Sequence, residues 1–204
     1  MPRTKEQFEN MRRESRKKIL SAAIRLFADK GMAATSIQEI AELAGVSTGL
    51  IYRYYKSKQD MYDIIVNGAL RDLKKIAGIF ESDESPKLLM EQVFTELRSE
   101  LVNDIGFSNV LVLMTQAFLS ENDDERSSLL LNEDLSIISA IENLIARGQQ
   151  TGDFAEGNPR EMAMLAFSSI QGLGIMKTLL KDKFSAPPAS MILAFLTPNA
   201  SGKQ

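Results

Sequence analysis

The sequence predicts an all-α protein, and three observations support this class. Apolar residues recur every three or four positions in successive segments, which is the period of amphipathic helices. Polar stretches containing Gly or Pro separate these segments. The sequence has neither the apolar–polar alternation nor the turn pairs that are typical of β-hairpins. The apolar fraction of 44% is close to the globular average, so the helices can share a buried core.

The first predicted helix covers about residues 13–29. Starting at Ile19, apolar residues at i, i+3, i+4, i+7 and i+8 form one stripe along it. Gly31 is expected to end this helix, because glycine tolerates the left-handed backbone found at helix ends. Residues 1–12 lack periodicity and are predicted to be a mobile basic tail that could add phosphate contacts.

Two short helices joined by a tight turn are predicted next. Thr35 or Ser36 can cap the first helix, with a glutamine or glutamate in position to complete a capping box. Gly45 follows the last apolar position of this helix, and Ser47 caps the second one. Two short helices around a glycine-containing turn are typical of the helix-turn-helix, whose second helix enters the DNA major groove. This segment therefore predicts DNA binding.

The rest of the chain is predicted to be a helical bundle. A long helix begins after Ser57, ends near residue 81 and joins the three-helix head to this bundle. Proline and polar clusters separate the helices that follow. The predicted bounds of these helices are 86–103, 106–120, 125–150, 159–182 and 187–196.

The charge distribution supports two domains. The net charge is −3, but residues 1–58 hold twelve Lys and Arg against six Asp and Glu, and the remainder holds twelve against twenty-one. A basic head on an acidic body can be steered toward phosphates, although a solvated surface without a partner fits the same charges. We predict a DNA-binding domain over residues 1–56 and a ligand-binding and dimerisation domain over residues 57–204.

The composition excludes several kinds of site. Without Cys or His, the chain has no disulfide, no thiolate metal site and no Ser-His-Asp triad. Phosphate-loop, EF-hand and dinucleotide-binding patterns do not occur either, so we expect no cofactor, no metal and no enzymatic activity. Carboxylate pairs such as Glu96 and Glu100 read as solvated charge. No apolar run reaches the roughly 18 residues that span a bilayer, and no secretory signal is recognisable, so we expect a cytoplasmic protein without a membrane partner.

The head resembles a known family over about residues 15–63. Its segments ILSAAIRLFADKG, TSIQEIA and AGVSTGLIYRYYKSKQDMY, in this order, are similar to the DNA-binding head of the TetR family of bacterial transcription regulators. The resemblance implies a homodimer whose two heads bind successive major grooves of a palindromic operator. It also implies a body that binds a small-molecule effector and then loses affinity for DNA.

The candidate DNA contacts begin at the start of the second helix of the motif. Free backbone N–H groups at Ser47, Thr48 and Gly49 favour phosphate, and the small side chains allow close approach to base edges. Thr48 can hydrogen-bond a base or touch a thymine methyl group. Gly49 permits approach without reading sequence. Leu50 either contacts a thymine methyl or is apolar surface.

Further candidates lie on both sides of this helix start. Tyr52 and Tyr54 are predicted to point toward the duplex, with packing in the head core as the alternative. Lys58, in the first turn of the long helix, matches the family's phosphate-binding lysine. Ser36 and Gln38 match family contact positions, and Gln38 either reads adenine or lies in solvent.

The helix around residues 162–176 is apolar or small on nearly every side, so it must be covered nearly all round. It is predicted to pair with the last helix in a two-fold four-helix interface, which the resemblance also implies; an ordinary core helix is the alternative. The candidate dimer residues are Ala163, Ala166, Phe167, Ile170, Gly174, Ile192 and Phe195.

An effector cavity is predicted among the apolar residues of the body helices, although each of these residues could simply be core. Few charged groups fall in the apolar stretches, which favours an apolar effector. The candidate ligand residues are Phe94, Phe107, Met114, Phe118, Phe167 and Gln171.

Two functions fit these patterns. The first is a ligand-responsive dimeric repressor that a small apolar effector releases from DNA. The second is a constitutive DNA-binding architectural or adaptor protein whose body only dimerises.

Overall fold

The computed structural model describes residues 5–119 and 125–198, and no β-strand occurs in these two ranges. The chain divides into two units, residues 1–69 and 70–204, and the division falls inside one long helix. The helices of the described residues are α1 (Lys5–Ala34), α2 (Ile37–Ala44), α3 (Thr48–Tyr54), α4 (Lys58–Phe80), α5 (Pro86–Asn103), α6 (Ile105–Leu119), α7 (Glu125–Thr151), α8 (Pro159–Leu180) and α9 (Ala189–Ile192). The all-α class is confirmed.

The first helix is longer than predicted. It begins at Lys5, so the prediction of a mobile tail is wrong for residues 5–12, while residues 1–4 lie outside the described part. The strong helix formers in KEQFENMR extend α1 by about two turns although they add no apolar stripe. Gly31 interrupts the helix with φ 83° and ψ 157°, which agrees with the predicted end.

The core of the first unit forms where α1, α2, α3 and the first turns of α4 meet. The apolar stripe of α1 is buried, with Ile19 and Phe27 fully inaccessible. Phe27 lies 6.1 Å from the ring of Tyr62 on α4, measured between ring centroids. Ile40 from α2 and Ile51 from α3 are also fully buried. This core fixes the three helices of the head to one another.

The second unit is a bundle in which α8 packs against both α6 and α7. Two glycines allow the close contacts. A Cβ atom on Gly174 of α8 would lie 2.4 Å from Leu111 Cδ1 of α6. A Cβ atom on Gly148 near the end of α7 would lie 2.1 Å from a ring carbon of Phe154. A Cβ atom at either position would therefore force the neighbouring side chain to shift, since no bonded carbon fits at these distances.

The predicted last helix is broken. The structure has α9 and then a 3₁₀ turn, Ala194–Leu196, in place of one helix over 187–196. Leu193 leaves the helical conformation with ψ 7°. Its side chain and that of Leu196 are nonetheless buried in the bundle core. The helix is thus interrupted where these two leucines pack against the core.

Candidate nucleic-acid interface

Side chains close to the helix ends hold α2 in place. The Ser36 hydroxyl accepts a hydrogen bond from the Glu39 backbone N–H at 3.2 Å, and a Glu39 carboxylate oxygen accepts from the Ser36 N–H at 2.8 Å. This is the predicted capping box, with Ser36 as the cap. At the other end, Gly45 is left-handed with φ 67°, and its N–H donates to the carbonyls of Ala41 and Glu42. The turn into α3 is therefore encoded locally.

The start of α3 is exposed. Ser47 accepts a hydrogen bond from the Leu50 N–H at 3.2 Å, which caps the helix, and Ser47, Thr48 and Gly49 are exposed. The N–H groups of the first helical residues have no partner within the helix. The positive end of the helix and small side chains thus meet at one accessible point, which suits close approach to a duplex.

The tyrosines of α3 separate into different environments. Tyr55 is buried, and its hydroxyl donates to the Arg16 carbonyl at 3.4 Å. Tyr52 is 59% exposed, as expected for a side chain directed at DNA. Tyr54 is half-buried, with its ring 5.0 Å below the Arg16 guanidinium. The ring of Tyr54 thus packs against α1, so it is less available to DNA than predicted.

Two other candidates lie at the surface of the motif. Gln38 is exposed on α2 and donates to the carboxylate of Glu42 at 3.2 Å. This interaction lies in solvent and can exchange for a base edge at little cost. Leu50 is half-buried, so only part of its side chain is open to a thymine methyl group.

An ion pair supports the cap of α2. The Lys30 ammonium donates to Glu39, whose carboxylate also accepts from the N–H and hydroxyl of Ser36. These donors, first of all Lys30, lower the pKa of Glu39 from 4.5 to about 2. Glu39 therefore stays ionised at neutral pH and ties the end of α1 to the start of α2.

Lys58 is placed differently from the prediction. Its ammonium donates to the backbone carbonyls of Met32, Ala33 and Thr35, each at 2.9 Å. An ammonium has three protons, and all three are used here. The structure thus gives Lys58 backbone partners, and its predicted phosphate contact stays a prediction. A lysine in the first turn of a helix is locally unfavourable, but nothing in the local sequence indicates that its partners are carbonyls more than twenty residues earlier.

Residues around Ser36, Tyr52 and Lys58 line a concave surface that holds a volume of about 500 Å³. One wall is the α1–α2 junction around Ser36, and the other contains Tyr52 and Lys56 to Lys58. The structure thus brings Ser36, Tyr52 and Lys58 together. The hydroxyl groups, the exposed Lys56 and the helix N-termini of this concave surface suit contact with the anionic backbone of DNA. Among the described residues no cluster of acidic side chains could hold a metal ion.

The candidate ligand residues of the body are mostly core. Phe94 is buried, and Phe107 and Phe167 pack half-buried against the same apolar cluster. Met114 is also buried, while the Phe118 side chain lies outside the described part. The Oε1 atom of Gln171 is buried without a hydrogen-bond partner among the described residues. These residues do not line the cavity of about 670 Å³ that α5 and α9 form elsewhere in the body, near Met90, Arg98, Phe154, Leu193 and Leu196.

The candidate dimer residues divide into a buried group on α8 and a half-buried group on α8 and in the last turns of the bundle. Ala163, Ala166, Ile170 and Gly174 are buried in the chain's own core, so they face inward and the prediction is wrong for these four. Periodicity alone did not tell which apolar face the bundle covers. Phe167, Ile192 and Phe195 are half-buried. The exposed apolar residues of α8 are Met164, Leu165, Met176, Leu179 and Leu180.

The segment Pro159–Lys183 is long and apolar enough to cross a membrane by length and composition, and little of its apolar part is buried. Within the described part of the chain it is the one such helix, contrary to the prediction of none. The core helix of a soluble protein passes the same test, so this is weak evidence for a membrane.

Comparison with known proteins places these observations in a family. A model of the bacterial regulatory proteins of the tetR family matches residues 19–64. The chain is 28% identical to the HTH-type transcriptional regulator TtgR of Pseudomonas putida over 88% of its length and 86% of TtgR. It is 30% identical to the HTH-type transcriptional regulator RutR of Escherichia coli O157:H7, over 76% and 72% of the two chains. The structure of the regulator FadR from Bacillus subtilis in complex with stearoyl-CoA aligns with a TM-score of 0.62 at 20% identity, covering 92% of this chain and 99% of that one.

Proposed function

Since the chain belongs to the TetR family of bacterial regulatory proteins, we propose that it is a ligand-responsive repressor that binds a palindromic operator as a homodimer. Residues 1–56 bind DNA, and residues 57–204 dimerise and bind a small effector that releases the protein from its operator. Its similarity to known regulators supports the general role of a transcription regulator that binds DNA. The geometry of the head and of α8 supports the more specific role of a dimeric, ligand-responsive repressor.

The observation that carries DNA recognition is the exposed start of α3. Ser47, Thr48 and Gly49 present backbone N–H groups at the positive end of a helix, where Ser47 and Thr48 have small side chains and Gly49 has none. Thr48 is placed to read a base, and Gly49 allows the helix to come close. Leu50 and the exposed Tyr52 extend this contact along α3. Ser36, Gln38 and Tyr54 flank it.

The exposed apolar face of α8 supports the homodimer. Leu165 and Leu179 are 51% and 69% exposed on this face, and Met191 of α9 is 66% exposed. Exposed apolar side chains on one helix are typical of a protein–protein contact. A second copy of the chain would cover it symmetrically, as in an isologous interface. We therefore assign the interface to Met164, Leu165, Met176 and Leu179, with Phe167, Ile192 and Phe195 at its edge.

An apolar effector is supported by the neutral interior of the body. The cluster around Phe94, Phe107 and Phe167 carries no charge, Met114 is also buried, and Gln171 has one buried carbonyl oxygen without a partner among the described residues. A ligand with an apolar body and a hydrogen-bond donor suits these residues. The structural neighbour FadR is described in complex with stearoyl-CoA, an acyl ligand. A constitutive DNA-binding protein would show no thermal shift with a panel of such compounds.

The experiment that tests this proposal is selection of random duplexes by the purified protein. We expect inverted half-sites whose centres are about one helical turn, or a multiple of it, apart. Sedimentation at micromolar concentration should give a dimer, and Leu179→Glu should give a monomer with weakened operator binding. Direct instead of inverted repeats, or no enrichment at all, would exclude the palindromic dimer. If Leu179→Glu remains a dimer, only the assignment of the interface to α8 is contradicted.

A further inference from the structure

We propose that Arg16 of α1 binds a phosphate of the operator, and that the ring of Tyr54 holds its guanidinium in place for this contact. Arg16 is not among the DNA contacts that the sequence predicts. The inference rests on the DNA-binding function proposed above. It adds a phosphate contact on the side of α3 that lies against α1.

The tyrosines at positions 52 and 54 lie on opposite flanks of α3. At about 100° per residue, Tyr52 and Tyr54 are separated by about 200° around the helix axis. Tyr52 lines the concave surface on one flank, together with Ser36 and Lys56. Tyr54 lies on the other flank, against α1. A helix in the major groove has a phosphate strand on each side, so the flank of α3 beside α1 also faces a DNA backbone.

Arg16 supplies a cation at this second flank. The centre of its guanidinium lies 5.0 Å from the centroid of the Tyr54 ring, which is a cation–π contact. Arg16 is exposed, and no carboxylate within residues 5–119 and 125–198 forms an ion pair with it. A cation–π contact engages none of the guanidinium N–H groups in a hydrogen bond to oxygen. These N–H groups can therefore donate to the oxygens of a phosphate.

Tyr55 ties both members of this pair to the core of the head. Its side chain is buried, and its hydroxyl donates to the Arg16 backbone carbonyl at 3.4 Å. The centroid of its ring lies 6.4 Å from that of Tyr54. One buried side chain thus positions the backbone of Arg16 and the ring of Tyr54. A guanidinium that is held in this way loses less freedom on binding than an unsupported side chain does.

Lys17 provides a matched control on the same helix. It is exposed and carries the same charge, and it follows Arg16 directly but points about 100° away around the axis of α1. Lys17→Met thus removes the same net charge as Arg16→Met and leaves the Tyr54 flank intact. An effect of net charge alone should appear equally in both variants.

The experiment measures affinity for the selected operator and for a random duplex from about 50 to 200 mM salt. Each phosphate contact contributes about 0.9 to the slope of log affinity against log salt, so a dimer that loses two contacts should lose about 1.8. Over this range the affinity of wild type relative to Arg16→Met should therefore fall about twelvefold, on both duplexes. Arg16→Lys should keep most of the slope, because an ammonium also neutralises a phosphate. Lys17→Met should leave the slope unchanged.

Two variants of Tyr54 test how the arginine is held. Tyr54→Phe keeps the ring, whereas Tyr54→Leu removes it. The loss of affinity caused by Arg16→Met should be about threefold smaller with Leu at this position than with Phe, which is the scale of an exposed cation–π contact. This comparison is independent of any contact that the Tyr54 hydroxyl itself makes, because both variants lack it.

Three results would overturn the inference. An unchanged salt slope in Arg16→Met would mean that no phosphate lies at this residue. The same loss of slope in Lys17→Met would describe attraction by net charge. An equal effect of Arg16→Met in the two Tyr54 backgrounds would mean that the ring does not hold the guanidinium. Failure of the wild-type protein to prefer any duplex would instead contradict the proposed function.

Discussion

The head and the body close their helix ends in different ways. In the head, Ser36 and Ser47 cap α2 and α3 through atoms only three residues away. In the body, the Arg147 guanidinium donates to the carbonyls of Phe80 and Ser82 at 2.8 and 2.7 Å, more than sixty residues earlier. Arg98 likewise reaches the Pro187 carbonyl, 89 residues later in the chain. The starts of α2 and α3 in the head are thus capped by local sequence, whereas these two arginine contacts of the body join residues distant in sequence.

The largest expected effect is in the body, at Gly148. The Gly148→Ala change should lower the free energy of unfolding by about 3 kcal/mol, because the added carbon overlaps the Phe154 ring. Urea denaturation followed by circular dichroism measures this. Gly78→Ala, on a helical position with no atom within 4 Å, is the control and should be stabilising. Equal stabilities of the two variants would mean that the end of α7 is not tightly packed.

The next effect tests the distant caps. Arg147→Met should cost about 2 kcal/mol, because two carbonyls at the end of α4 lose a charged donor. The same denaturation experiment applies. Arg71→Met, at an exposed site on α4, should change stability by less than about 0.5 kcal/mol. If the two changes cost the same, the guanidinium contacts contribute nothing to the body.

In the head, Gly49→Ala separates binding from stability. The new methyl group would come no closer than 3.9 Å to the Ser47 hydroxyl, so the fold should tolerate it and gain slightly in helix propensity. Operator affinity should nevertheless fall about tenfold, or roughly 1.4 kcal/mol, since the duplex must approach this point. Gel-shift titration beside a thermal melt checks both parts. Unchanged affinity would show that DNA does not approach the start of α3 closely.

The local caps should have a smaller effect. Ser36→Ala should destabilise α2 by about 1 kcal/mol, because the Glu39 N–H loses its acceptor. Hydrogen exchange at the α2 amides reports this locally. Ser21→Ala, at an exposed position within α1, should leave the rate of exchange in α2 unchanged. Protection in α2 that survives Ser36→Ala would contradict local capping as the cause of the turn.

The smallest effect is the pH dependence of the ion pair at α2. The folded pKa of Glu39, about 2, lies below its ordinary value of 4.5, so its contribution to stability is complete above about pH 5 and is lost as the pH falls toward 2. The stability advantage of wild type over Glu39→Gln should therefore shrink over this range. Thermal melts at several pH values measure the difference. A constant difference would mean that the carboxylate gains nothing from Lys30.

Much of the fold could be predicted from local patterns. Gly45, Ser47 and the periodic apolar residues of each segment predicted α2, α3 and the bounds of the bundle helices to within a few residues. The extension of α1 to Lys5 was missed because that turn has no apolar stripe to reveal it. The break after α9 was missed because the burial of Leu193 and Leu196 arises from tertiary packing.

The sequence by itself determined the all-α class, the helix-turn-helix and the exposed start of α3, since capping and periodicity act over a few residues. Only the tertiary structure decided the partners of Lys58 and the side of α8 that lies inside the body. Lys58 contacts carbonyls more than twenty residues away, and the packing of α6 and α7 against α8 determines which side of α8 is buried. The physical reason is that a side chain's donors and apolar surface are satisfied by whatever the folded chain brings near them, and a local pattern does not contain that information.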